Sequence, residues 1–389
     1  SAASSGVRRR SGPGVAMTTQ TRPSGDEATG TASRPWTAVL AERLPIRRII
    51  LVALSIIITE GVVLGSFKTL TMPEGRISGA GWRDFLIAGI ALGSIYALIA
   101  LGYSLVYGIL LMINFAHGEV FMMGAYASYF VARSLESAGL LDSSPILSIL
   151  ILLVAATVAS MAVAVLLERV AYRPLRNAPR LVPLITAIGA SLFLQYTAAS
   201  FFGSDSKGYP SIDALEGTWT VLGIPIGRSL LLAIVTAVVM MVALTLFIAR
   251  TTMGKAMRAV AEDKEIASLM GINVNRVIVT TFGIGGILAG VAGVMFALVF
   301  GLVQFNMGFV PGIKAFTAAV LGGIGSVAGA AIGGLILGVV ESVAPFLLLA
   351  GIHVPAPNQL RDVVAFSILI LVLIFRPGGI LGSGDPERG

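Results

Sequence analysis

The chain has 389 residues, of which 56% are hydrophobic and only 12% are charged. Soluble domains carry about 25% charged residues, so this composition excludes an ordinary soluble protein and indicates an integral membrane protein. The net charge of +7 follows the loops between apolar runs, which favours membrane orientation over nucleic-acid binding. The sequence contains no cysteine, which excludes disulfides, thiolate metal sites and cysteine nucleophiles.

Residues 1–48 are predicted to form a disordered basic N-terminal tail. Residues 1–35 are rich in Ser, Thr, Gly, Pro and Arg and show no apolar periodicity. A signal peptide is not predicted, because no apolar core follows the three arginines at 8–10. The next apolar run, 49–67, is expected to be an extra N-terminal transmembrane helix.

Further apolar runs reach the length of about 20 residues that a membrane-spanning helix needs. They occupy 84–112, 113–133, 145–167, 181–202, 229–249, 277–303, 315–350 and 361–375. The run 315–350 is too long for one crossing and is interrupted at "GGIGSVAG", residues 322–329. We therefore predict an all-α, polytopic helical membrane protein with about 8–10 spanning or re-entrant helices, two of them broken and rich in glycine.

Basic residues predict how these helices are oriented. The loop 168–180 carries four arginines against one glutamate, and 250–276 is also basic, whereas 203–228 holds more acidic than basic residues. Cytoplasmic loops are enriched in Lys and Arg, so the first two loops are predicted to be cytoplasmic and the third external. Counting spans from these loops places both termini in the cytoplasm, and makes 84–133 and 315–350 each begin and end outside.

Two segments interrupted by glycine, 108–125 and 322–338, fall in comparable places early and late in the chain. Broken helices in matching positions of two halves are the best indication of a transport path that a sequence offers. An internal repeat is a hypothesis here, because the two segments are not clearly similar.

The early segment contains "INFAHGEV", residues 113–120, a polar cluster between apolar runs. Asn114 is a good N-cap residue, and a helix that restarts there would offer backbone N–H groups to an anionic group such as a carboxylate. Gly118 lies between His117 and Glu119. These two side chains are expected either to border a substrate path or to tie two helices together. The H-x-E spacing also occurs in zinc deaminases, but their P-C-x-x-C partner is impossible without cysteine.

Glycines recur every four residues in two of the predicted spans. Gly89 and Gly93 do so in the first of them, and the late span does so at Gly325, Gly329, Gly333, Gly334 and Gly338. This spacing predicts a face that packs against a neighbouring helix. The stretch "GIGSVA" also fits G-x-G-x-x-A, but it lacks the strand–turn–helix context of a dinucleotide site.

The longest polar internal stretch, 254–276, predicts a short charged helix. Met257, Val260, Ala267 and Met270 are predicted to share one helical stripe, with Glu262 and Glu265 facing away from it. Asp263 and Lys264 interrupt that stripe. Such a helix either docks against a cytoplasmic partner or lies on the membrane surface as an ordinary loop helix.

Several enzyme signatures are missing from the chain. The sequence holds no G-x-x-x-x-G-K-[ST] motif, and its only histidines are His117 and His353. An enzyme is therefore not predicted, and neither a cofactor nor a metal is expected.

Long blocks of the sequence resemble the permease of branched-chain amino-acid ABC importers, the LivH family. The blocks are "GSIYALIALGYSLVYGILLMINFAHGEVFMMGAY" (93–126), "ERVAYRPLRNAPRLVPLITAIGASLFLQ" (168–195), "RAVAEDKEIASLMGINVNRVI" (258–278), "GIKAFTAAVLGGIGSVAGAAIGGLILG" (312–338) and "PGGILG" (377–382). The resemblance covers roughly 82–383 and implies one ABC importer permease transmembrane domain there.

The resemblance implies a set of partners. These are a second, LivM-like permease subunit, two cytoplasmic ABC ATPase subunits that supply ATP hydrolysis, an external solute-binding protein and the lipid bilayer of a bacterial cell. Nucleic acid is not among them. The missing P-loop follows, because the ATPases are separate chains.

The resemblance also assigns site residues. An EAA-like coupling helix maps to Glu262–Gly271, with Glu262, Asp263, Ala267 and Gly271 at its marked positions. The family's N-x-A-H-G-E segment falls on Asn114–Glu119, and this broken helix is expected to border the translocation pathway. Gly323 and Gly325 of the late break are expected to border it too.

The function expected from this resemblance is import of Leu, Ile or Val. One alternative keeps the architecture and changes the cargo to urea or short amides. Another is an ion-coupled secondary transporter with Glu119 and Glu341 as carboxylate relays. A passive channel fits poorly, because no ring-forming polar filter is visible.

Overall fold

The computed structural model describes residues 46–71, 77–176, 178–179, 181–350, 354–376 and 378–381. Residues 1–45 of the predicted tail lie outside the described residues, and so does His353. The chain divides into two units, residues 1–58 and 59–389, with the division inside the first described helix.

The described residues are mostly helical. Their α-helices are α1 (Ile46–Thr71), α2 (Gly79–Leu110), α3 (His117–Ser137), α4 (Leu140–Ser143), α5 (Pro145–Leu167), α6 (Leu181–Phe202), α7 (Arg228–Arg250), α8 (Thr252–Glu262), α9 (Lys264–Leu269), α10 (Val274–Phe300), α11 (Phe309–Gly322), α12 (Val327–Leu349) and α13 (Arg361–Phe375). Seven helices in this part of the chain are long and apolar enough to cross a membrane, and α11 is a shorter apolar helix. The predicted class, a polytopic helical membrane protein, is confirmed.

Most predicted spans match observed helices. The bounds 145–167, 181–202 and 361–375 coincide with α5, α6 and α13. Helix α5 begins with Pro145 at its first position, where the missing N–H costs nothing. A π-helical turn, Glu168–Tyr172, follows α5 and was not predicted.

Two small antiparallel ladders were also not predicted. Strand β1 (Lys207–Gly208) pairs with β4 (Leu302–Val303), and β2 (Thr218–Val221) forms a hairpin with β3 (Ile224–Gly227). Leu222 and Gly223 turn the hairpin with φ of 53° and 83°. A two-residue turn with positive φ at both positions matches the twist of the strands it joins.

Glycine contacts bring α2 and α12 together. A Cβ added at Gly334 would lie 2.5 Å from the Cα of Ala97, and one added at Gly338 would overlap the Cα of Gly93. Gly89 lies opposite Val339 in the same way. The helices therefore touch through their backbones, as the glycine spacing predicted.

The other glycines of the predicted face behave differently. A Cβ at Gly333 would overlap the carbonyl oxygen of Ala318, and one at Gly329 would overlap that of Gly322, so both pack α12 against α11. Gly325 lies before α12, in a loop, with φ of 90°. Its inclusion in the packing face was wrong, because the helix begins two residues later.

A second glycine face lies on α10. Gly286 and Gly290 face Met161 and Ala156 of α5, and Gly293 faces Phe121 of α3. Helices α2 and α10 are consequently mostly buried, whereas α5, α7 and α13 expose most of their apolar surface.

The loops gather at two ends of unit 59–389. At one end, Arg176 donates to the Oδ1 of Asn275, which joins the two basic loops predicted to be cytoplasmic. At the other end, the backbone N–H of Asp213 donates to Asp142 Oδ1 over 2.9 Å, and Ser206 Oγ lies 3.1 Å from Gln304 Oε1. The two basic loops thus lie together, as their charge predicted.

Candidate functional site

The early break separates α2 from α3. Helix α2 ends with Leu111 in the left-handed region, at φ of 56°, and α3 begins at His117. The predicted N-cap role of Asn114 is wrong, because Ala116 occupies the N-cap position and makes no side-chain cap bond. Asn114 Oδ1 instead accepts a 2.5 Å hydrogen bond from the hydroxyl of Tyr172 in the π-helical turn.

The backbone of the early break uses its own donors. The N–H of His117 donates to the carbonyl of Asn114, and those of Glu119 and Val120 donate to the carbonyl of Ala116, at 3.0–3.1 Å. The first turn of α3 therefore offers fewer N–H groups to an anionic ligand than the sequence indicated.

His117 is buried between α2 and α10. Its ring lies against Gly102 and Gly285, and it meets the ring of Tyr103 edge-on with centroids 4.9 Å apart. Within the described residues, the Nε2 atom has no hydrogen-bond partner. Any side chain at position 102 would collide with the imidazole, so the glycine there is what admits His117.

Glu119 is fully buried and joins α3 to α6. Its Oε1 accepts hydrogen bonds from Ser191 Oγ at 3.2 Å and from Gln195 Nε2 at 3.0 Å. Its Oε2 has no partner in the part of the chain that the structure describes. The geometry matches the helix-tying interpretation of Glu119 and leaves one carboxylate oxygen for another ligand.

Gly118 lets α3 approach the start of α11. A Cβ at position 118 would overlap the carbonyl oxygen of Gly308 and lie 3.2 Å from the Cα of Gly312. No other residue type leaves room for this contact.

A cavity of about 230 Å³ opens beside this cluster. Its walls are mainly aromatic and aliphatic: Tyr103, Phe115, Ile188, Ser191, Leu192, Phe309 and Ile313. Ser191 lines the cavity and also donates to Glu119. The cavity therefore combines an apolar surface with a nearby buried carboxylate.

The late break, between α11 and α12, is held mainly by backbone conformation and backbone hydrogen bonds. Gly323 and Gly325 have φ of 108° and 90°, and the side chain of Ser326 caps α12 by accepting from the N–H of Gly329 at 3.1 Å. The N–H groups of Ile380 and Leu381 donate to the last carbonyls of α11, at 2.8 and 2.9 Å.

The two breaks approach one another. A Cβ built on Gly108, in the last turn of α2, would lie 3.8 Å from the Cα of Gly325. The structure thus brings the late break to the end of α2 that precedes the early break.

The polar loop 252–271 contains two helices rather than one. Asp263 ends α8 and caps α9, where its Oδ1 accepts from the N–H groups of Glu265 and Ile266 at 2.8 and 2.9 Å. Glu262 is the last residue of α8, and Gly271 follows α9 with φ of 83°. The predicted single helix over Glu262–Gly271 is therefore divided at Asp263.

The apolar stripe of this loop was predicted only in part. Met257, Val260 and Ala267 are buried, but Met270 is 79% exposed. Ile266 and Leu269 are 59% and 86% exposed. Because α9 starts anew at Asp263, these three side chains project from a charged loop as one apolar surface, Ile266–Leu269–Met270.

An ion pair within the loop 168–180 lies beside the start of α10. Arg176 contacts both Glu168 and Asn275, and Glu168 is fully buried. Partial desolvation lowers the pKa of Lys264, and the positive charge of Arg176 lowers it further. The basic loops are thus close enough to sense each other's charge.

Sequence reasoning missed most of the partners. Most hydrogen bonds at the site join residues that are at least 58 positions apart in the sequence. They are Tyr172 to Asn114, Ser191 and Gln195 to Glu119, and Arg176 to Asn275. The contact of Arg176 with Glu168 is local. No local pattern marks such contacts. The polar residues His117 and Glu119 within an apolar region were the sequence feature that indicated the site.

The fold and this site define a helical membrane permease: apolar spanning helices enclose a broken-helix cluster, and a polar loop presents an exposed apolar surface. Residues 85–373 match the family described as branched-chain amino acid transport system / permease component. The match covers more than half of the chain, and the chain belongs to this family.

Named relatives agree with the family. BraD of Pseudomonas aeruginosa, a high-affinity branched-chain amino acid transport system permease protein, is 46% identical over 306 residues, 78% of this chain and 96% of BraD. LivH of Escherichia coli, which carries the same description, is 46% identical over 77% of this chain and 95% of LivH. LsrC of Yersinia enterocolitica, an autoinducer 2 import system permease protein, is 30% identical over 39% of this chain and 40% of LsrC. The resemblance predicted from the sequence blocks is confirmed.

Proposed function

We propose that the chain is the transmembrane permease subunit of an ATP-binding-cassette importer for the branched-chain amino acids Leu, Ile and Val. The observation that carries this proposal is the likeness to BraD over 96% of that protein's length. Two further features support it: a mainly apolar cavity beside a buried carboxylate, and an exposed apolar surface on a charged loop.

The cavity lined by Tyr103 and Phe115 is the proposed substrate position. A zwitterion loses the hydration of both charges on entering lipid, and this costs far more than an aliphatic side chain regains. A cavity that opens to one side at a time avoids that cost. The apolar wall suits an aliphatic side chain, and the second oxygen of Glu119 lies close to Gly308, at the start of α11.

The pathway residues take different roles in this proposal. Asn114 and His117 hold the early break against Tyr172 and α2, and Gly118 admits α11 beside α3. Glu119 connects the break to α6. Gly323 and Gly325 allow the chain to turn between α11 and α12, next to α2.

The loop 252–271 is the proposed contact with two cytoplasmic ABC ATPase subunits. Asp263 caps α9, Glu262 ends α8, and Gly271 ends the short helix, so the loop presents Ile266–Leu269–Met270 in one direction. Ala267, which is buried, keeps α9 close to the bundle. Movement of the ATPases would reach α10 directly, because Asn273 caps that helix three residues beyond Met270.

The remaining partners follow from the same assignment. A second, LivM-like permease subunit covers the exposed apolar helices, and an external solute-binding protein delivers the amino acid at the end that carries the β2–β3 hairpin. The protein is a multi-pass component of the bacterial cell membrane with cytoplasmic termini. Residues 82–383 form the permease domain, and 49–67 form an extra N-terminal transmembrane helix.

The ATPase contact is tested with the substitution Leu269→Asp in this chain. The variant is co-expressed with the second permease subunit, the ATPase subunits and the solute-binding protein. Leu222→Asp is the matched control, because Leu222 is 98% exposed in the hairpin at the other end. We expect Leu269→Asp to reduce the ATPase that co-purifies at least about tenfold, since a buried unpaired charge at an interface costs several kcal/mol, and Leu222→Asp to leave it unchanged. Equal ATPase recovery from both variants would contradict the assignment of the loop.

The cargo is tested by competition. Labelled leucine taken up by the complete system should be displaced by unlabelled isoleucine and valine, and not by urea or acetamide at the same concentration. Displacement by the amides alone would favour the alternative cargo.

The ion-coupled alternative requires a relay between Glu119 and Glu341, and in the described part of the chain these carboxylates share no hydrogen-bond partner.

A further inference from the structure

A buried ion cluster joins α11, α12 and α13. The Nζ of Lys314 lies 2.7 Å from Glu341 Oε1 and 2.6 Å from Asp362 Oδ1. Lys314 and Glu341 are almost completely buried. The hydroxyl of Tyr96, on α2, also donates to Glu341 Oε1, at 3.3 Å. None of these residues is among those described at the early break or at Glu119.

Glu341 is only half satisfied by these contacts. Both the lysine and the tyrosine bond to Oε1, whereas Oε2 is buried and lacks a hydrogen-bond partner among the described residues. An ionised carboxylate can accept about four hydrogen bonds. A buried acceptor without a partner is unfavourable, so this oxygen is suited to a ligand that donates to it.

A cavity of about 300 Å³ opens beside this carboxylate. Four of its lining residues are charged: Lys314, Glu341, Arg361 and Asp362. Its volume is at the lower limit of small-molecule pockets, which begin near 300 Å³.

The rest of the wall is largely apolar, with Leu92, Phe296, Phe300 and Val310 among its members. The cavity shares no lining residue with the one beside Glu119. It lies next to β4, which pairs with β1, and therefore at the end of the bundle opposite the two basic loops.

The charges of the wall indicate the chemistry of the ligand. Two carboxylates and two cationic side chains balance one another, so a ligand without net charge keeps the buried site neutral. A donor is needed at Glu341 Oε2, and an acceptor suits Arg361, which has five N–H donors and uses one of them on Asn358. The apolar wall suits an aliphatic group.

We propose that this cavity is an outer binding site for a free aliphatic α-amino acid. The ammonium group donates to Glu341 Oε2, the carboxylate faces Arg361, and the side chain lies against Leu92, Phe296 and Val310. The inference rests on the proposed function, because it gives the transported amino acid a first position near the external end before it reaches the Glu119 cavity.

The test is equilibrium binding of radiolabelled leucine to the permease–ATPase complex in nanodiscs, without ATP and without the solute-binding protein. Glu341→Gln keeps an acceptor for Lys314 and Tyr96 and removes the charge, while Asp362 still pairs with Lys314. Val310→Trp fills the cavity and leaves all the ion pairs in place. Asp205→Asn, an exposed carboxyl at the same end, is the matched control.

We expect saturable binding to the wild type and to Asp205→Asn, and at least tenfold weaker binding to both Glu341→Gln and Val310→Trp. The analogue 4-methylpentanoate, which lacks the ammonium group, should not compete. Thermal melting and gel filtration show whether each variant is folded, and Val310→Trp carries the test if Glu341→Gln is not.

Wild-type affinity in both cavity variants, or binding of 4-methylpentanoate as tightly as leucine, would overturn the inference. If leucine binds only at the cavity beside Glu119, or if Glu341 holds only a lone cation, both cavity variants bind leucine with wild-type affinity. ATP-driven leucine uptake by the wild type, with its solute-binding protein, is measured in parallel in proteoliposomes. Normal uptake by the wild type, together with unaltered leucine binding in the two cavity variants, rejects only the outer site. Absent uptake by the wild type rejects the proposed function.

Discussion

The two broken segments achieve the same interruption by different means. The early break, between α2 and α3, is held by buried side chains: Asn114 bonds to Tyr172, and Glu119 bonds to Ser191 and Gln195. The late break, between α11 and α12, is held by glycines with positive φ and by backbone hydrogen bonds from the segment 380–381.

This difference separates chemistry from shape. Side chains at the early break carry charge and hydrogen-bonding groups next to a cavity, so substitutions there should alter transport as well as stability. The late break is defined by close backbone contact, so its substitutions should act mainly through steric collision and strain. Variants at the two breaks and at the glycine contact beside them therefore separate these roles.

The largest effect is expected at the glycine contact between α2 and α12, the helix that follows the late break. Gly338→Leu places a side chain where a Cβ already overlaps the Cα of Gly93. Overpacking costs about 1–3 kcal/mol and occasionally more, and a collision with backbone places this variant at the upper end. Gly189→Leu, on α6, is the control, since nothing lies within 4 Å of a Cβ there. Thermal melting should show a much lower transition for Gly338→Leu only. Equal melting of the two variants would mean that α2 and α12 are not in contact.

A smaller effect is expected at Glu119. Glu119→Ala removes the acceptor of Ser191 and Gln195, and each buried donor left without a partner costs about 1–3 kcal/mol. Glu119→Gln keeps one carbonyl oxygen and should lose less stability. If the carboxylate also serves the substrate, leucine uptake falls in both variants, although only Glu119→Ala melts clearly earlier. Normal uptake in a stable Glu119→Gln would restrict Glu119 to joining α3 and α6.

Strain at the late break should be measurable by itself. Gly325→Ala puts a Cβ on a residue with φ of 90°, at a cost of about 1–2 kcal/mol. Gly108→Ala, across the contact, meets only ordinary van der Waals distances within a helix and should be neutral or slightly stabilising. Melting of the two variants in the same detergent compares them. A more stable Gly325→Ala would show that the turn does not need glycine.

The smallest effect is expected at the hydrogen bond between Tyr172 and Asn114. Tyr172→Phe removes the donor and should cost about 0.5–1.5 kcal/mol. Tyr196→Phe is the control, because Tyr196 is 63% exposed. A loss of uptake larger than the loss of stability would indicate that this bond sets the geometry of the early break. Identical behaviour of the two tyrosine variants would remove Tyr172 from the site.

Sequence patterns predicted the helices better than the contacts between them. Apolar runs bounded by charge or proline gave α5, α6 and α13 to the residue, because hydropathy and helix ends are local properties. The Asp263 boundary was also local, because aspartate is a typical N-cap residue. The interruption of the apolar stripe at Asp263 and Lys264 was recognised, but 254–276 was still interpreted as one helix.

The sequence predicted where in the chain the candidate site lies, but not which residues contact one another there. "INFAHGEV" marked the early break, yet the partner of Asn114 lies 58 residues away and those of Glu119 lie 72 and 76 residues away. Lys314 was overlooked because it falls just before the predicted run 315–350, whereas the structure places it inside the apolar helix α11. An ionisable residue in such a helix is a signal of function. The pairing of Lys314 with Glu341 depends on how α11 and α12 meet, which no local pattern contains.

The central claim is that the chain moves an amino acid only while ATPases act on the loop that carries Ile266–Leu269–Met270. Uptake of labelled leucine into proteoliposomes tests it directly, with the chain alone and with the full set of partner subunits, each with and without ATP. The account predicts uptake only with the partners and ATP together, and none with the chain alone under any ion gradient. Accumulation of leucine by the chain alone would contradict it.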